Sequence, residues 1–334
     1  MLAVAFFPYL GDGPLWPFLA PMNDICKDIW WKDLLYINNM FKDQCIGWVW
    51  YLANDMQFYW ISPIFLVLLV WMPAVGLALL LVLTLGSDIW RGILIYENNW
   101  APAMMGSANS TAMLLAVNPD QFNSLYVKPW FRAGPYFIGV AFGYFYLQAT
   151  HGKNAIRFST KLWLHKLITL VLWVIFIGIT MAVLWSPYNF ALTGRYDRIT
   201  AALYGSTFRC FWVIGLAGIM FMCLSGNGGP INALLSWNAL FPLSRLTYCA
   251  YLVHPLVIYY FFGSQRQPFW FSHYEMAYVF LRHLGVTYVC ALVLSLSFEA
   301  PAMQLEKIIF DRQSSADQPV KQLGNNVAPT QKSR

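Results

Sequence analysis

CIGWVWYLANDMQFYWISPIFLVLLVW, residues Cys45 to Trp71, is the stretch that decides the fold class. Its second half is an uncharged apolar run, and with a short extension it approaches the roughly 20 residues that a helix needs to cross a bilayer. Asn54, Asp55 and Gln57 stand just before this run, among aromatic residues. Because polar groups are costly at the edge of hydrocarbon, these three residues require an explanation.

Helix capping is the simplest role for this polar group. Asn54 or Asp55 at the helix N-terminus would satisfy unpaired backbone amides, and a carboxylate there would interact favourably with the helix dipole. A cap does not need all three residues, because Gln57 lies further into the helix. Asn54 and Gln57 share one helical face, whereas Asp55 points about 100° away. Both a capping role and a functional or network role are therefore open.

The composition indicates a membrane protein. Hydrophobic residues make up 59% and charged residues 11% of the 334 positions, whereas soluble domains carry about 25% charged residues. The 16 Trp and 19 Tyr suit aromatic belts at the membrane interfaces. The net charge of +6 is spread over the loops and forms no basic stripe, so nucleic acid is not expected as a partner.

Seven apolar stretches predict an all-α polytopic membrane protein. The N-terminal segment MLAVAFFPYL is too short to span and lacks the features of a signal peptide, so we interpret it as the end of a truncated helix. Residues 1–310 are expected to form one transmembrane domain, and the polar residues 311–334 a disordered cytoplasmic tail. Gly139-x3-Gly143 is expected to let two helices approach closely. The predicted spans are Gln57–Trp71, Ala74–Tyr96, Gly134–Ala149, Trp163–Trp185, Leu203–Leu224, Phe241–Phe262 and Met276–Phe298.

Three signals agree on one topology: a basic loop, a glycosylation sequon and a pair of cysteines. The loop near His151–Lys166 carries four Lys or Arg residues and no acid, which the positive-inside rule assigns to the cytoplasm. Counting spans from this loop places residues 11–55 and 97–133 outside and the C-terminus in the cytoplasm. We therefore expect a multi-pass protein of the endoplasmic reticulum or plasma membrane.

The two outer segments carry features of an oxidising, luminal or extracellular compartment. Asn109-Ser110-Thr111 is a glycosylation sequon, so Asn109 is a predicted glycosylation site. Cys26 and Cys45 are predicted to form a disulfide, the alternative being two free thiols. The other four cysteines lie in predicted spans and are expected to be plain apolar residues.

Ionisable residues inside or beside the spans are the candidates for chemistry, because charge is costly in lipid. The chain has no CxxC, HExxH, GxSxG or P-loop motif, so we expect no metal site and no serine-hydrolase elbow. Asp88 and Arg91 lie three residues apart and are expected to form an ion pair. Arg245 can contact a phosphate, anchor a helix at the headgroups, or pair with Glu299. We assign no role to Arg209, Arg282 and His283.

His254 lies in the apolar segment YCAYLVHPLVIYYFF. A neutral imidazole can accept or donate a proton near pH 7. Pro255 leaves the carbonyl of Tyr251 without its helical donor. His254 is therefore either a catalytic base or a structural residue that satisfies such a carbonyl.

These residues carry a resemblance to a known family. WVWYLANDMQFYWISP resembles the W-S-L-x-x-E-x-Q-F-Y segment of the acyltransferase 3 membrane family, and Asp55 takes the acidic position. PLSRLTYCAYLVHPLVI resembles the family's I-S-Y-x-x-Y-L-x-H-x-P segment, and FEAP its late E-x-P. PYLGDGPLWP and WWKDLLYINNMF also look like the eukaryotic branch typified by nose resistant to fluoxetine proteins. The matching positions are Trp50, Leu52, Gln57, Phe58, Tyr59, Pro63, Tyr248, Tyr251, Leu252 and His254.

The resemblance implies a bundle of about ten helices in the lipid bilayer. Such a bundle would transfer an acyl group from acyl-CoA, a co-substrate rather than a bound cofactor, to a lipid, sugar or small-molecule acceptor. Asn54, Asp55 and Gln57 would support the acceptor side, with Asp55 at the mouth of an outer cavity and Gln57 pointing into it. Arg245 would contact a donor phosphate. If this chain is active by itself, His254, its only deeply placed histidine, is the candidate catalytic residue.

One departure from the family separates the function hypotheses. The family's proposed catalytic His and a nearby Arg lie in helices upstream of the matching segment, so the domain is expected to be incomplete here and to need its missing N-terminal half. The leading hypothesis is an acyltransferase. The alternative is a non-catalytic transport protein for lipids or small hydrophobic molecules, or a pseudoenzyme. A seven-span receptor has no supporting motif.

Overall fold

Helices are the only regular elements in the part of the chain that the structure describes. The structure is a computed structural model that describes residues 7–19, 22–103, 119–151, 162–267, 270 and 272–316. The predicted glycosylation site Asn109 lies outside these residues. The chain divides into two compact units. The first unit is Met1–Tyr9 with Phe18–Trp237, and the second unit is Leu10–Pro17 with Asn238–Arg334.

The helices follow the apolar runs of the sequence, because a helix satisfies its backbone hydrogen bonds internally and so tolerates a lipid surrounding. Those of the first unit are α1 Met22–Leu34, α2 Trp50–Trp71, α3 Pro73–Asn98, α4 Ala133–His151, α5 Leu162–Trp185, α6 Tyr188–Thr193, α7 Arg198–Met222 and α8 Gly229–Leu235. Those of the second unit are α9 Leu240–Arg245, α10 Thr247–Gly263, α11 His273–Leu294 and α12 Ala300–Ala316.

The all-α membrane class is confirmed. Helices occupy each of the seven predicted spans, and α4 and α10, with 19 and 17 residues, are the shortest of the main ones. Residues 311–316, at the start of the predicted tail, continue α12. The stretches long and apolar enough to cross a membrane are Trp50–Trp71, Pro73–Asn98, Lys166–Thr193, Arg198–Asn227 and His273–Phe310.

Helix α2 begins earlier than its apolar run suggests. It starts at Trp50, after Val49, and no side chain caps it. Asn54 and Asp55 therefore lie inside the helix, and the capping role is wrong for both. Pro73 then opens α3, where proline fits because the first helical residue needs no amide donor.

Glycines allow close helix packing in the first unit, but at other positions than predicted. A Cβ on Gly139 or Gly143 would meet no described atom within 4 Å. A Cβ on Gly205 of α7 would lie 2.5 Å from Ile95 Cδ1 of α3. Gly215 and Gly218 likewise face Thr180 and Phe176 of α5. Helix α7 is thus the element against which α3 and α5 pack closely.

The second unit joins α9–α12 to the segment Leu10–Pro17. The Trp16 ring lies edge-on to Tyr260 of α10, with ring centroids 6.1 Å apart. Asp12 and Arg266 form an ion pair at 3.1 Å, but both side chains are largely exposed. Because exposed pairs stabilise little, the buried Trp16 ring is the main contact of this segment.

Candidate functional site

Residues 22–49, which precede α2, are held by a disulfide, and we call them the outer segment because the predicted topology places them outside. Cys26 of α1 and Cys45 are bonded and both are buried. The bridge predicted from the sequence is therefore confirmed. It ties α1 to the residues that lead into α2, where the predicted polar group lies.

Two of the three polar residues on α2 bind the outer segment. Asn39 Nδ2 donates to Asn54 Oδ1 at 2.7 Å and to Gln57 Oε1 at 3.1 Å. Gln57 Nε2 donates to the Tyr36 carbonyl at 2.8 Å and to Asn39 Oδ1 at 2.9 Å. Asn54 Nδ2 donates to the Val127 carbonyl at 3.2 Å. These amides satisfy one another and so join α2 to the two loops outside it.

This network differs from the expectation for Gln57. Its amide is engaged with Tyr36 and Asn39, and Gln57 is absent from the residues that line the neighbouring cavity. Asn54 and Asp55 do line that cavity. Gln57 therefore anchors the outer segment, while Asp55 faces the space where a ligand fits.

The outer pocket, named for the side on which the predicted topology places it, is the cavity of about 570 Å³ between α2, α4, α7 and the loop that precedes α4. Its walls are mainly aromatic, and they include Trp50, Phe58, Tyr136 and Trp212. Its volume lies in the range of small-molecule sites, which combine apolar walls with a few polar groups. The charged residues of the outer pocket are Asp55, Arg132 and Arg209.

Arg132 lies between two aromatic rings. Its guanidinium carbon is 4.7 Å from the Trp50 ring centroid and 4.3 Å from that of Tyr126. Its Nε donates to the Tyr126 carbonyl at 2.8 Å, whereas Nη2 is buried and makes no hydrogen bond to a described residue. Burial lowers the pKa of Arg132, but a guanidinium stays charged at physiological pH.

Arg209 of α7 brings a second cation to the outer pocket. Its Nη1 donates to the Phe131 carbonyl at 3.2 Å, and its guanidinium lies over the Tyr126 and Phe208 rings. Sequence reasoning gave Arg209 no role and did not consider Arg132. The only signal was a lone arginine in an otherwise apolar helix, which does not identify its neighbours.

Asp88 and Arg91 form a separate, internally neutral cluster. Their side chains pair at 2.8 Å, as expected from their spacing, and both are buried. Arg91 also donates to the Phe131 carbonyl at 2.9 Å and to that of Ser206. Cys210 Sγ donates to Asp88 Oδ2 at 3.0 Å. Asp88 pairs directly with Arg91 and, among the described residues, forms no ion pair with the arginines of the outer pocket.

The histidine pocket is a second cavity, of about 370 Å³, between α10 and α11 of the second unit. His254 and His283 both line it, among largely apolar residues. His254 Nδ1 lies 2.8 Å from the Tyr251 carbonyl, and His283 Nδ1 lies 2.6 Å from the Val279 carbonyl. A carbonyl only accepts hydrogen bonds, so each Nδ1 must carry the proton. In the neutral ring, Nε2 is then the basic nitrogen.

The expected pair of Arg245 and Glu299 is not among the ion pairs that the described residues form. Glu299 Oε2 accepts hydrogen bonds from Ser295 Oγ at 2.7 Å and Cys249 Sγ at 3.1 Å. Arg245 lies over the Phe241 ring instead, 4.6 Å from its centroid. Residues Ser295–Glu299 form a π turn, which shifts the helical register and so turns Glu299 toward Cys249.

Two known proteins are similar to this chain over most of its length. It is 31% identical over 314 residues to Nose resistant to fluoxetine protein 6 of Caenorhabditis elegans. The match covers 92% of this chain and 37% of that protein. The chain is similar to the nose resistant to fluoxetine proteins. It is also 26% identical over 328 residues to Regulator of hypoxia-inducible factor 1 of the same organism, covering 88% of this chain and 59% of that protein.

The chain thus spans less than two thirds of the length of each of these relatives. No protein-family model matches it, and no solved structure matches it. The similarity supports the nose resistant branch of the sequence resemblance, and it extends across both units of the structure.

Proposed function

We propose that the chain is a membrane-embedded acyl-transfer domain of the acyltransferase 3 family, in the nose resistant to fluoxetine branch. It would move an acyl group from a cytoplasmic donor such as acyl-CoA to a hydroxyl or amine acceptor. The resemblance in sequence and the similarity to a nose resistant protein over 92% of the chain support this proposal. Asn54 and Asp55, which line the outer pocket, would serve the acceptor side.

The hydrogen bond and the position of His254 are the observation that supports the chemical part of the proposal. Its protonated Nδ1 is held by the Tyr251 carbonyl, which leaves the basic Nε2 available in a pocket. Holding one ring nitrogen on a backbone carbonyl fixes the tautomer and the orientation of a catalytic histidine. The same hydrogen bond satisfies the carbonyl that Pro255 deprives of its helical donor, so the structural and chemical roles are compatible.

The proposed step balances as a simple acyl transfer. His254 Nε2 removes the proton from the acceptor hydroxyl or amine as that group attacks the thioester carbonyl. The carbon–sulfur bond breaks, and the leaving thiolate takes the proton from the imidazolium. The new ester or amide and free CoA are the products. Arg245 would bind a phosphate of the donor, because its guanidinium lies on the Phe241 ring and forms no ion pair with Glu299.

Labelled acyl-CoA supplied to membranes tests this proposal, with the chain expressed alone and together with the N-terminal half that the resemblance implies it needs. We expect an acylated product, and we expect His254→Asn to lower its rate by about 10²–10⁴-fold, the usual range for a lost general base. Asparagine can keep a donor to the Tyr251 carbonyl, so a purely structural histidine would survive the change. His273→Asn, at the exposed start of α11, is the matched control. Unchanged turnover in His254→Asn, or no acylated product at all, would overturn the proposal.

A non-catalytic transport protein or pseudoenzyme is the second candidate. The outer pocket favours it, because this pocket has groups suited to binding and no described histidine lines it. Uptake of a hydrophobic tracer into vesicles, without any acylated product, would support transport. An acylated product that requires His254 would exclude it.

A further inference from the structure

We propose that the outer pocket binds an amphipathic anion, with its carboxylate or phosphate headgroup held by Arg132 and Arg209 and its hydrocarbon part against the aromatic walls. This ligand class deepens the proposed function by naming the chemistry of the acceptor, an anionic amphiphile that would also carry the hydroxyl or amine to be acylated. The role of this ligand as an acceptor rests on the proposed function, whereas its binding needs no acyl transfer.

The charges of the outer pocket are the first reason. Arg132 and Arg209 form no ion pair with a described carboxylate, and Asp55 is the only acid that lines the pocket. Asp88 is committed to Arg91. The pocket therefore carries one excess positive charge in a largely apolar surrounding, where an uncompensated charge is costly unless a counter-charge is bound.

The positions of the two cations are the second reason. Both guanidinium carbons lie within 6 Å of one ring, at 4.3 Å and 5.6 Å from the Tyr126 centroid. Arg132 Nη2 is buried and has no hydrogen-bond partner among the described residues. Guanidinium groups bind carboxylate and phosphate through parallel N–H donors, so two of them beside one ring in the same pocket suit a single anionic headgroup.

Arg209 is not needed to satisfy the backbone that it contacts. The Phe131 carbonyl already accepts a shorter bond from Arg91 Nη1, at 2.9 Å against 3.2 Å for Arg209. The aromatic walls supply the complementary surface for a hydrocarbon chain. The outer pocket thus combines two guanidinium groups with apolar walls, which is the pattern that an anionic amphiphile requires.

Photo-crosslinking of the purified chain tests the ligand class without any acyl donor. The probe is a long-chain fatty acid that carries a diazirine, and labelled residues are mapped by mass spectrometry. We expect labelling in the outer pocket and competition by unlabelled fatty acid and by lysophosphatidic acid. Monoacylglycerol of the same chain length should compete about tenfold less well or worse, because it lacks the charge-assisted hydrogen bonds. Inorganic phosphate alone should not compete, which separates an amphiphile from a free anion.

Matched variants locate the headgroup. Arg132→Gln and Arg209→Gln should each reduce labelling by about tenfold or more, whereas Arg198→Gln, exposed at the start of the same helix as Arg209, should not. Arg132→Lys and Arg209→Lys keep the charge without the planar donors, and intermediate labelling is expected. If the Gln variants do not fold, the Lys variants and the competition in the unaltered chain decide.

Equal competition by monoacylglycerol, competition by phosphate alone, or full labelling in folded Gln or Lys variants would overturn this inference. Those results would leave the acyl-transfer proposal standing, because no acyl donor is present. Selective anion binding without acyl transfer in the His254 experiment would instead overturn the proposed function alone.

Discussion

The outer pocket of the first unit and the histidine pocket of the second unit use polar groups in opposite ways. In the outer pocket, Arg132 and Arg209 keep permanent charges and form no ion pair with a described carboxylate. In the histidine pocket, His254 and His283 are anchored through Nδ1 to backbone carbonyls and keep a basic nitrogen. The first arrangement suits holding an anion, and the second suits moving a proton.

This difference separates recognition from chemistry within one membrane chain. A permanent charge is costly in a bilayer, so it is expected where a ligand compensates it. A neutral imidazole costs less and can change its protonation during a reaction. A buried ion pair such as Asp88 and Arg91 fits neither description, because its two charges satisfy each other.

Removing one partner of that pair should have the largest effect on stability. Arg91→Leu would leave Asp88 buried without a counter-charge and should lower the free energy of unfolding by about 3–5 kcal/mol. Thermal unfolding followed by tryptophan fluorescence measures the loss. The double variant Arg91→Leu with Asp88→Leu is the control and should recover much of the stability. If Arg91→Leu unfolds like the unaltered chain, Arg91 is not structural and its contrast with Arg209 fails.

The outer segment should respond to pH in a way that neither pocket explains. Asp33 of α1 is buried, and burial raises its pKa from 3.8 to about 6, although contacts with Ile46 and Asn38 oppose the shift. Between these two values the folded chain holds the proton that the unfolded chain has released. The free energy of unfolding should therefore fall as pH rises from about 4 to 6, by on the order of 2 kcal/mol.

Protease resistance of the outer segment at several pH values checks this prediction. The segment should be most resistant below about pH 4 and lose resistance up to about pH 6, with no further change from Asp33 above that. Asp33→Asn cannot ionise and should abolish the dependence over this interval. A segment that gains resistance between pH 4 and 6 would show that Asp33 is stabilised as a carboxylate.

Asp55 should have the smallest effect on stability and a distinctive effect on binding. Asp55→Asn keeps the shape of the side chain but removes the only negative charge that lines the outer pocket. Competition by fatty acid in the crosslinking assay should improve by about two- to fivefold, as expected for the loss of a repelling charge near a protein surface. Weaker competition in a folded Asp55→Asn chain would mean that Asp55 attracts the ligand instead.

The fold was largely predictable because apolar runs report membrane helices directly. The start of α2 was not predictable, because the polar residues Asn54 and Gln57 resemble the end of a membrane helix in the sequence. They lie inside the helix since Asn39 and the carbonyls of Tyr36 and Val127 satisfy their amides. Those partners come from loops that periodicity does not place.

The site was only partly predictable for a similar reason. The pairing of Asp88 with Arg91 follows from their spacing on one helix. The contact of His254 with a backbone carbonyl follows from the proline beside it. Arg132 and Arg209 meet only through the packing of α7 against the loop before α4, so their shared pocket has no local signal. The pairing of Arg245 with Glu299 failed because a π turn rotates Glu299 away from its helical position.

The most direct test measures two quantities in the same two variants: acyl transfer at saturating acceptor, and fatty-acid labelling of the outer pocket. We predict that His254→Asn loses about 10²–10⁴-fold of the rate and keeps its labelling. Arg209→Gln should lose about tenfold or more of its labelling and keep its rate once the acceptor is saturating. If both variants lose both properties while remaining folded, binding and chemistry are not divided between the two pockets and the account is wrong.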